Sequence, residues 1–188
     1  MARPKEFDVE AAVEAAVEIF REHGFEGASA QMLVDAMKIG RQSLYDTFGD
    51  KWGIYCTAVK HYSQDEVRAH TEILDRSGRA IEGIRAMLER VVAEADRPCL
   101  GVGSIAEFGC ARPELVKIRQ ASSDVLSRAL AKALGAAREQ GDVAEDLDID
   151  HLVTFLIATI SAMRLAARGG AGRDHVSGLA ELAMPSLR

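Results

Sequence analysis

Arg41, Gln42, Ser43 and Tyr45 fall within less than two helical turns of the stretch IGRQSLYDTFGDK, residues 39–51. Arginine can donate bidentately to guanine O6 and N7, and glutamine can pair with adenine N6 and N7. Hydroxyls of the Ser, Thr and Tyr type suit phosphate oxygens, which brings in Ser43 and Tyr45. Leu44 and Phe48 are four apart and share one helical face, where Val34, Met37 and Ile39 can receive them. Lys51 stands in the first turn of the next helix. Free N–H groups and the positive helix end suit a phosphate there. The set amounts to a DNA backbone clamp with one or two base readers. The same spacing also fits a plain helical hairpin with a polar exterior. Asp46 has three readings: it accepts from cytosine N4, orients Arg41, or weakens affinity as an anion close to DNA.

The elements that must hold these residues are helices. Val9, Val13, Ala16 and Phe20 repeat at helical spacing, with Asp8 as N-cap and Gly24 as stop, predicting a helix over 9–23. Glu10, Glu14, Glu18 and Glu22 form its solvated stripe. A second helix runs from Ser29 to about 37, and KIG breaks it. A third covers 41–47 and ends at Gly49. Asp50 caps a fourth that runs to about 74, before RSG at 76–78. Further helices are expected near 80–95, 99–110, 113–139, 149–168 and 174–184, with Pro98 and Pro113 at helix starts. No stretch alternates with period two. The fold class is all-α, about nine helices: an N-terminal three-helix helix-turn-helix unit over 1–50, then a C-terminal helical domain over 51–188, linked by the fourth helix.

FDVEAAVEAAVEIFREHGFEGASAQMLVDAMKIGRQSLYDTFGDKWGIYCTAV, residues 7–59, resembles the N-terminal DNA-binding domain of TetR-family transcriptional repressors of the AcrR/TetR-like type. The signature pieces are IFREHGFEG, the Ser29 start and IGRQSLYDTFGDKWGIY. The resemblance implies that the third helix is the recognition helix, with Arg41 and Gln42 at base-reading positions and Tyr45 and Thr47 at phosphate-contacting ones. It implies that Lys51 holds a phosphate, that Ser29 touches the DNA backbone, and that Gly40 allows close approach at the turn. ARPK, residues 2–5, resembles the family's basic arm, shortened.

The rest of the chain is expected to dimerise and to take a small-molecule effector, as the resemblance implies. PCLGVGSIAEFG…RPELV, residues 98–116, resembles the GCL…E start of the sixth helix in one broad subgroup, with Pro98 where glycine is usual. LVTFLIATISAMRLAA and HVSGLAELAM would form a four-helix interface between two copies, through Ala158, Ser161, Ala162, Leu165, Ala166, Leu179 and Leu182. An intrachain core accounts for the same apolar pattern. Two recognition helices reaching successive major grooves, about 34–36 Å apart, supply a physical reason for a homodimer and a palindromic operator. Tyr62, Met87, Phe108, Phe155 and Met163 are candidate pocket residues; each also reads as plain core.

Composition narrows the classes. The chain has 188 residues, 48% hydrophobic content and a net charge of −6. Residues 1–60 carry seven Lys and Arg against ten Asp and Glu, a net of −3. Bulk charge therefore argues against non-specific nucleic-acid binding, and position must matter more than the total. Three unevenly spaced cysteines make no disulfide framework. No unbroken apolar run reaches the roughly 18–20 residues of a membrane span, and MARPKEFDVE has no secretory h-region, so cytoplasmic residence is the expectation. GVGSIA at 101–106 fits a dinucleotide fingerprint only if a strand precedes it, and EADRPC is no strand. No catalytic residue, cofactor or metal site is expected. His61, Asp65, Glu66 and His70 offer two i, i+4 pairs, but these point about 140° apart on an ideal helix. Cys99 and Cys110, flanked by Arg97 and Arg112, keep a thiol sensor in view. The alternatives are a redox-, electrophile- or metal-responsive regulator, or a helical dimeric interaction protein that does not bind DNA.

Overall fold

The computed structural model describes residues 7–76 and 78–188. The basic arm expected at 2–5 and Ser77 of the expected RSG stop lie outside them. Among the described residues there are nine α-helices and no strand: α1 (Val9–Gly27), α2 (Ala30–Met37), α3 (Arg41–Phe48), α4 (Lys51–Arg76), α5 (Ala80–Ala93), α6 (Leu100–Phe108), α7 (Pro113–Glu139), α8 (Ile149–Arg168) and α9 (Arg173–Ala183), then a short 3-10 turn, Pro185–Leu187. The chain is all-α.

Local chemistry explains the boundaries. The Asp8 carboxylate accepts from the N–H groups of Glu10 and Ala11, so α1 starts there. Its backbone breaks at Gly24, with φ +67° and ψ −176°, and one more turn is counted into the same element. Ser29 Oγ accepts from Met32 N–H at 3.1 Å and starts α2. Lys38, at φ 54°, ends it in the left-handed region. Gly49, at φ 84°, ends α3. Pro113 is the first residue of α7, whereas Pro98 lies one residue ahead of Cys99, the N-cap of α6.

The fold has two compact units, and neither is one continuous stretch. The first joins the chain up to Asp65 to Cys99–Gln120; the second joins Glu66–Pro98 to Ala121–Arg188. The first core gathers Ala16, Phe20, Leu33, Leu44, Tyr55 and Val59 with Leu100 and Leu115. The second gathers Ile84, Met87, Leu88, Leu130, Leu134, Leu156, Met163 and Val176.

α8 has a composition that counting an unbroken apolar run misses. It is the one helix among the described residues long and apolar enough to cross a membrane by length and mean hydropathy, 1.4 over its most apolar window, and 28% of that window is buried. Arg164 interrupts the run. It is 5% exposed, donates to the Glu94 carbonyl at 2.9 Å, and pairs with the carboxylates of Glu66 (3.2 Å) and Glu94 (3.1 Å). Arg90 pairs with the same two acids at 2.7 and 3.2 Å. Burial alone would raise the Glu66 pKa, but Arg90 and Arg164 hold it below the usual carboxylate range. His70, 3.9 Å from Glu66, is pushed down to about 4 by burial and then by Arg90.

Candidate nucleic-acid interface

α3 is held from behind. Leu44 has no exposure, and Phe48 and Tyr45 pack partly buried against the first core. Val34, Met37 and Ile39 belong to the same cluster. That burial leaves Arg41, Gln42, Ser43 and Asp46 exposed on the outer face, with Gly40 just ahead of them. Tyr45 and Thr47 are half-buried rather than fully on that face. Gln42 Nε2 donates to Asp46 Oδ1 at 2.8 Å, so the described partner of Asp46 is Gln42 and not Arg41.

The α3–α4 corner fixes Lys51. Asp50 Oδ1 accepts from Gly53 N–H at 2.8 Å and caps α4. The Lys51 ammonium lies 4.5 Å from the centre of the Phe25 ring, an arrangement in which the ring face attracts the cation. Gly53 is required by space: a Cβ there would stand 2.0 Å from the Phe48 carbonyl oxygen. Ser29 is exposed. Its oxygen caps α2, and its O–H hydrogen remains a donor type suited to phosphate.

Behind the corner lies an aromatic cluster. Phe25, Trp52, Tyr55 and Phe108 have ring centres 5.2–5.8 Å apart. Glu107 ties it together. Its carboxylate accepts from Phe25 N–H at 2.9 and 3.1 Å and from the Tyr55 hydroxyl at 3.2 Å. A Cβ on Gly24 would stand 2.3 Å from the same carboxylate. Trp52 Nε1–H donates to Glu114 at 3.0 Å, and Arg112 stacks over the Trp52 ring at 4.8 Å. Sequence reasoning missed Gly53, Glu107 and the Gln42–Asp46 bond. A glycine inside the first turn of a helix was the one available signal for Gly53.

The other expected residues are dispersed. Tyr62 and Phe108 belong to the first core and Met87 and Met163 to the second, while Phe155 is 38% exposed on α8. A groove of about 270 Å³ opens beside α5 and α9, lined by Leu88, Val92, Ala180 and Met184 with Arg85, Glu89, Arg173 and Glu181. None of the five expected residues lines it. Phe155, Ala158, Ala162 and Leu165 are exposed along one face of α8, with Ser161 and Ala166 half-buried beside them. Leu182 is exposed on α9, and Leu179 packs partly against the second core. Cys110 is exposed, Cys99 half-buried and Cys56 buried. Burial and the nearby Glu114 push the Cys56 thiol up to about 12. Among the described residues no three His, Cys, Asp or Glu side chains gather as a metal site.

A family model described as bacterial regulatory proteins, tetR family, matches residues 12–55, and one described as tetracyclin repressor-like, C-terminal domain, matches residues 74–176. The chain is 32% identical to the HTH-type transcriptional regulator YezE of Bacillus subtilis (strain 168), over the full length of both proteins. The chain belongs to the TetR family. It is a DNA-binding transcriptional regulator. The HTH-type transcriptional repressor ComR of Escherichia coli (strain K12) is 25% identical, over 95% of this chain and 88% of that protein. The regulator CifR, solved as a cysteine mutant with double-stranded operator DNA, is 28% identical with a TM-score of 0.84, covering 99% of this chain and all of that one.

Proposed function

We propose that this TetR-family chain is a homodimeric repressor that binds a palindromic operator through α3 and is released by a small-molecule effector. The observation that carries it is the outer face of α3: Arg41, Gln42 and Ser43 stand exposed while Leu44 is fully buried behind them. Arg41 and Gln42 read base edges. Ser29, Ser43, Tyr45, Thr47 and Lys51 engage phosphates, and Gly40 lets the backbone approach. Residues 1–50 form the DNA-binding domain and 51–188 the effector-binding and dimerisation domain. The operator-bound CifR supports the first role.

A second copy covers the exposed face of α8 and α9. Leu165 is 58% and Leu182 72% exposed, and large apolar side chains exposed together mark interaction surfaces. Ala158, Ser161, Ala162 and Ala166 permit close helix approach. The effector's place is open to test at Tyr62, Met87, Phe108, Phe155 and Met163. An effector shifts the protein only by its differential affinity for two states. The protein acts in the cytoplasm and catalyses no reaction.

The test is selection of bound duplexes from a random pool, then anisotropy titration of the winner over a salt series. A palindrome is expected, with a steep salt slope, loss of binding in Arg41→Ala, and a slope reduced by about one per protomer in Lys51→Ala. A folded dimer that enriches no sequence would favour an interaction protein that does not bind DNA.

A further inference from the structure

Gln42 and Asp46 form a directional pair. The Gln42 amide can present either its oxygen or its NH2 group in a given direction, because a half-turn of the side-chain amide exchanges them. A base-reading glutamine free to turn can donate to guanine N7 or O6 as well as pair with adenine. The ionised Asp46 carboxylate removes that freedom. It accepts and cannot donate, so only the nitrogen of Gln42 can face it, and Nε2 does so at 2.8 Å. Both side chains are exposed, one turn apart on α3.

We infer that Asp46 is a specificity-determining residue that acts through Gln42: it fixes the amide so that Oε1 faces the base edge as an acceptor, and thereby selects adenine over guanine at one base pair of each half-site. This rests on α3 being the base-reading helix. With Nε2 anchored, Oε1 meets the adenine N6 amino group, and the second N–H of Nε2 serves adenine N7. Guanine places O6 where N6 would be, acceptor against acceptor. The pair thus assigns Asp46 a role that neither bulk charge nor a phosphate contact would give. A like pair on α2, Gln31 Nε2 to Asp35 Oδ1, also at 2.8 Å, lies off the reading helix and serves as an internal control.

The experiment is sequence selection followed by titration of the selected duplex and its single A·T→G·C variants, for the wild type, Gln42→Ala, Asp46→Glu, Asp46→Asn, Asp46→Ala and Asp35→Ala. The wild type should prefer adenine at one base pair by about tenfold, and Gln42→Ala should lose that preference. Asp46→Glu keeps an acceptor-only partner within reach and should keep the preference. Asp46→Asn keeps the shape but can donate, so Gln42 can reverse; preference at that base pair should fall to within about threefold. Asp46→Ala should do the same. Both uncharged variants should bind all sequences as tightly or more tightly, since an anion near phosphate has gone. Asp35→Ala should leave the base preference unchanged. Retained adenine preference in Asp46→Asn and Asp46→Ala, or an equal loss of base preference at every position of the site, would overturn the inference while leaving DNA binding intact. A folded wild type that enriches no sequence would remove both readings.

Discussion

Replacing Glu107 by alanine removes the shared acceptor of Phe25 N–H and the Tyr55 hydroxyl. Hydrogen bonds to a charged group contribute about 1.5–3 kcal/mol net, and leaving a buried partner unsatisfied costs about 1–3 kcal/mol. Two facts set where this site falls. Glu107 is exposed, so water can replace it at Phe25 and lowers that share. Tyr55 has no exposure, so its hydroxyl bears most of the loss. The expected cost is about 2 kcal/mol for Glu107→Ala. Glu107→Gln keeps a neutral acceptor for Phe25 and should cost about 1 kcal/mol. In a Tyr55→Phe background the alanine change should cost less by about 1 kcal/mol, because no hydroxyl is then stranded. The assay is urea unfolding followed by the fluorescence of Trp52, the single tryptophan of the chain. Its ring lies 5.2 Å from Phe108 and 5.5 Å from Phe25, so it reports on this unit directly. If Glu107→Ala and Glu107→Gln both unfold within about 0.5 kcal/mol of the wild type, the carboxylate is not what joins α6 to α1 and α4, and the reasoning fails.

Three further outcomes are expected. Gly53→Ala drives a Cβ to within 2.0 Å of the Phe48 carbonyl oxygen; it should destabilise the first unit by about 1–3 kcal/mol or more and weaken operator binding, read by Trp52 unfolding and anisotropy. The folded pKa of His70, about 4, lies below its unfolded value of about 6.5. The unfolded chain therefore binds the extra proton as pH falls, and stability should drop by about 2 kcal/mol by pH 5 and about 3 kcal/mol by pH 4. The depressed Glu66 acts in the same direction at still lower pH, since its stabilisation is lost as pH falls through its folded pKa. His70→Leu should flatten the profile between pH 6.5 and 4, as urea midpoints will show. Leu165→Glu with Leu182→Glu places charges on the exposed apolar face of α8 and α9; sedimentation should show a monomer with its helical content kept, and operator binding should weaken with it.

The helices were legible because their signals are local. Asp8, Ser29, Gly49, Asp50 and Pro113 each act on the backbone within a few residues, and the ends they predict fall where the structure has them. The outer face of α3 was legible for the same reason, since Leu44 and its apolar neighbours fix which side turns away. Long-range chemistry was not. Glu107 meets Phe25 from 82 positions away, and Arg164 meets Glu66 from 98. Neither distance leaves a periodicity to read. Asp46 in isolation suggests Arg41 or DNA as its partner, but glutamine and aspartate four apart on one helix face form a pair of their own. Arg164 inside an apolar helix was a visible anomaly whose partners only the fold supplies.

The first unit is assembled from two separated pieces of chain, and this dictates an order of events during synthesis. When Asp65 leaves the ribosome, Tyr55 and Trp52 have neither Phe108, Leu100 nor Leu115 to pack against. Translation at about 5–20 residues per second takes roughly 3–11 s more to deliver Gln120. In that interval the opening segment of the second unit, Glu66–Pro98, is also made, and it too waits for partners encoded later. The nascent chain thus carries two half-built cores at once. A gene fragment that stops after residue 50 yields α1 to α3 with Phe25 but without Lys51, Trp52, Tyr55 and Phe108, the partners that surround that ring.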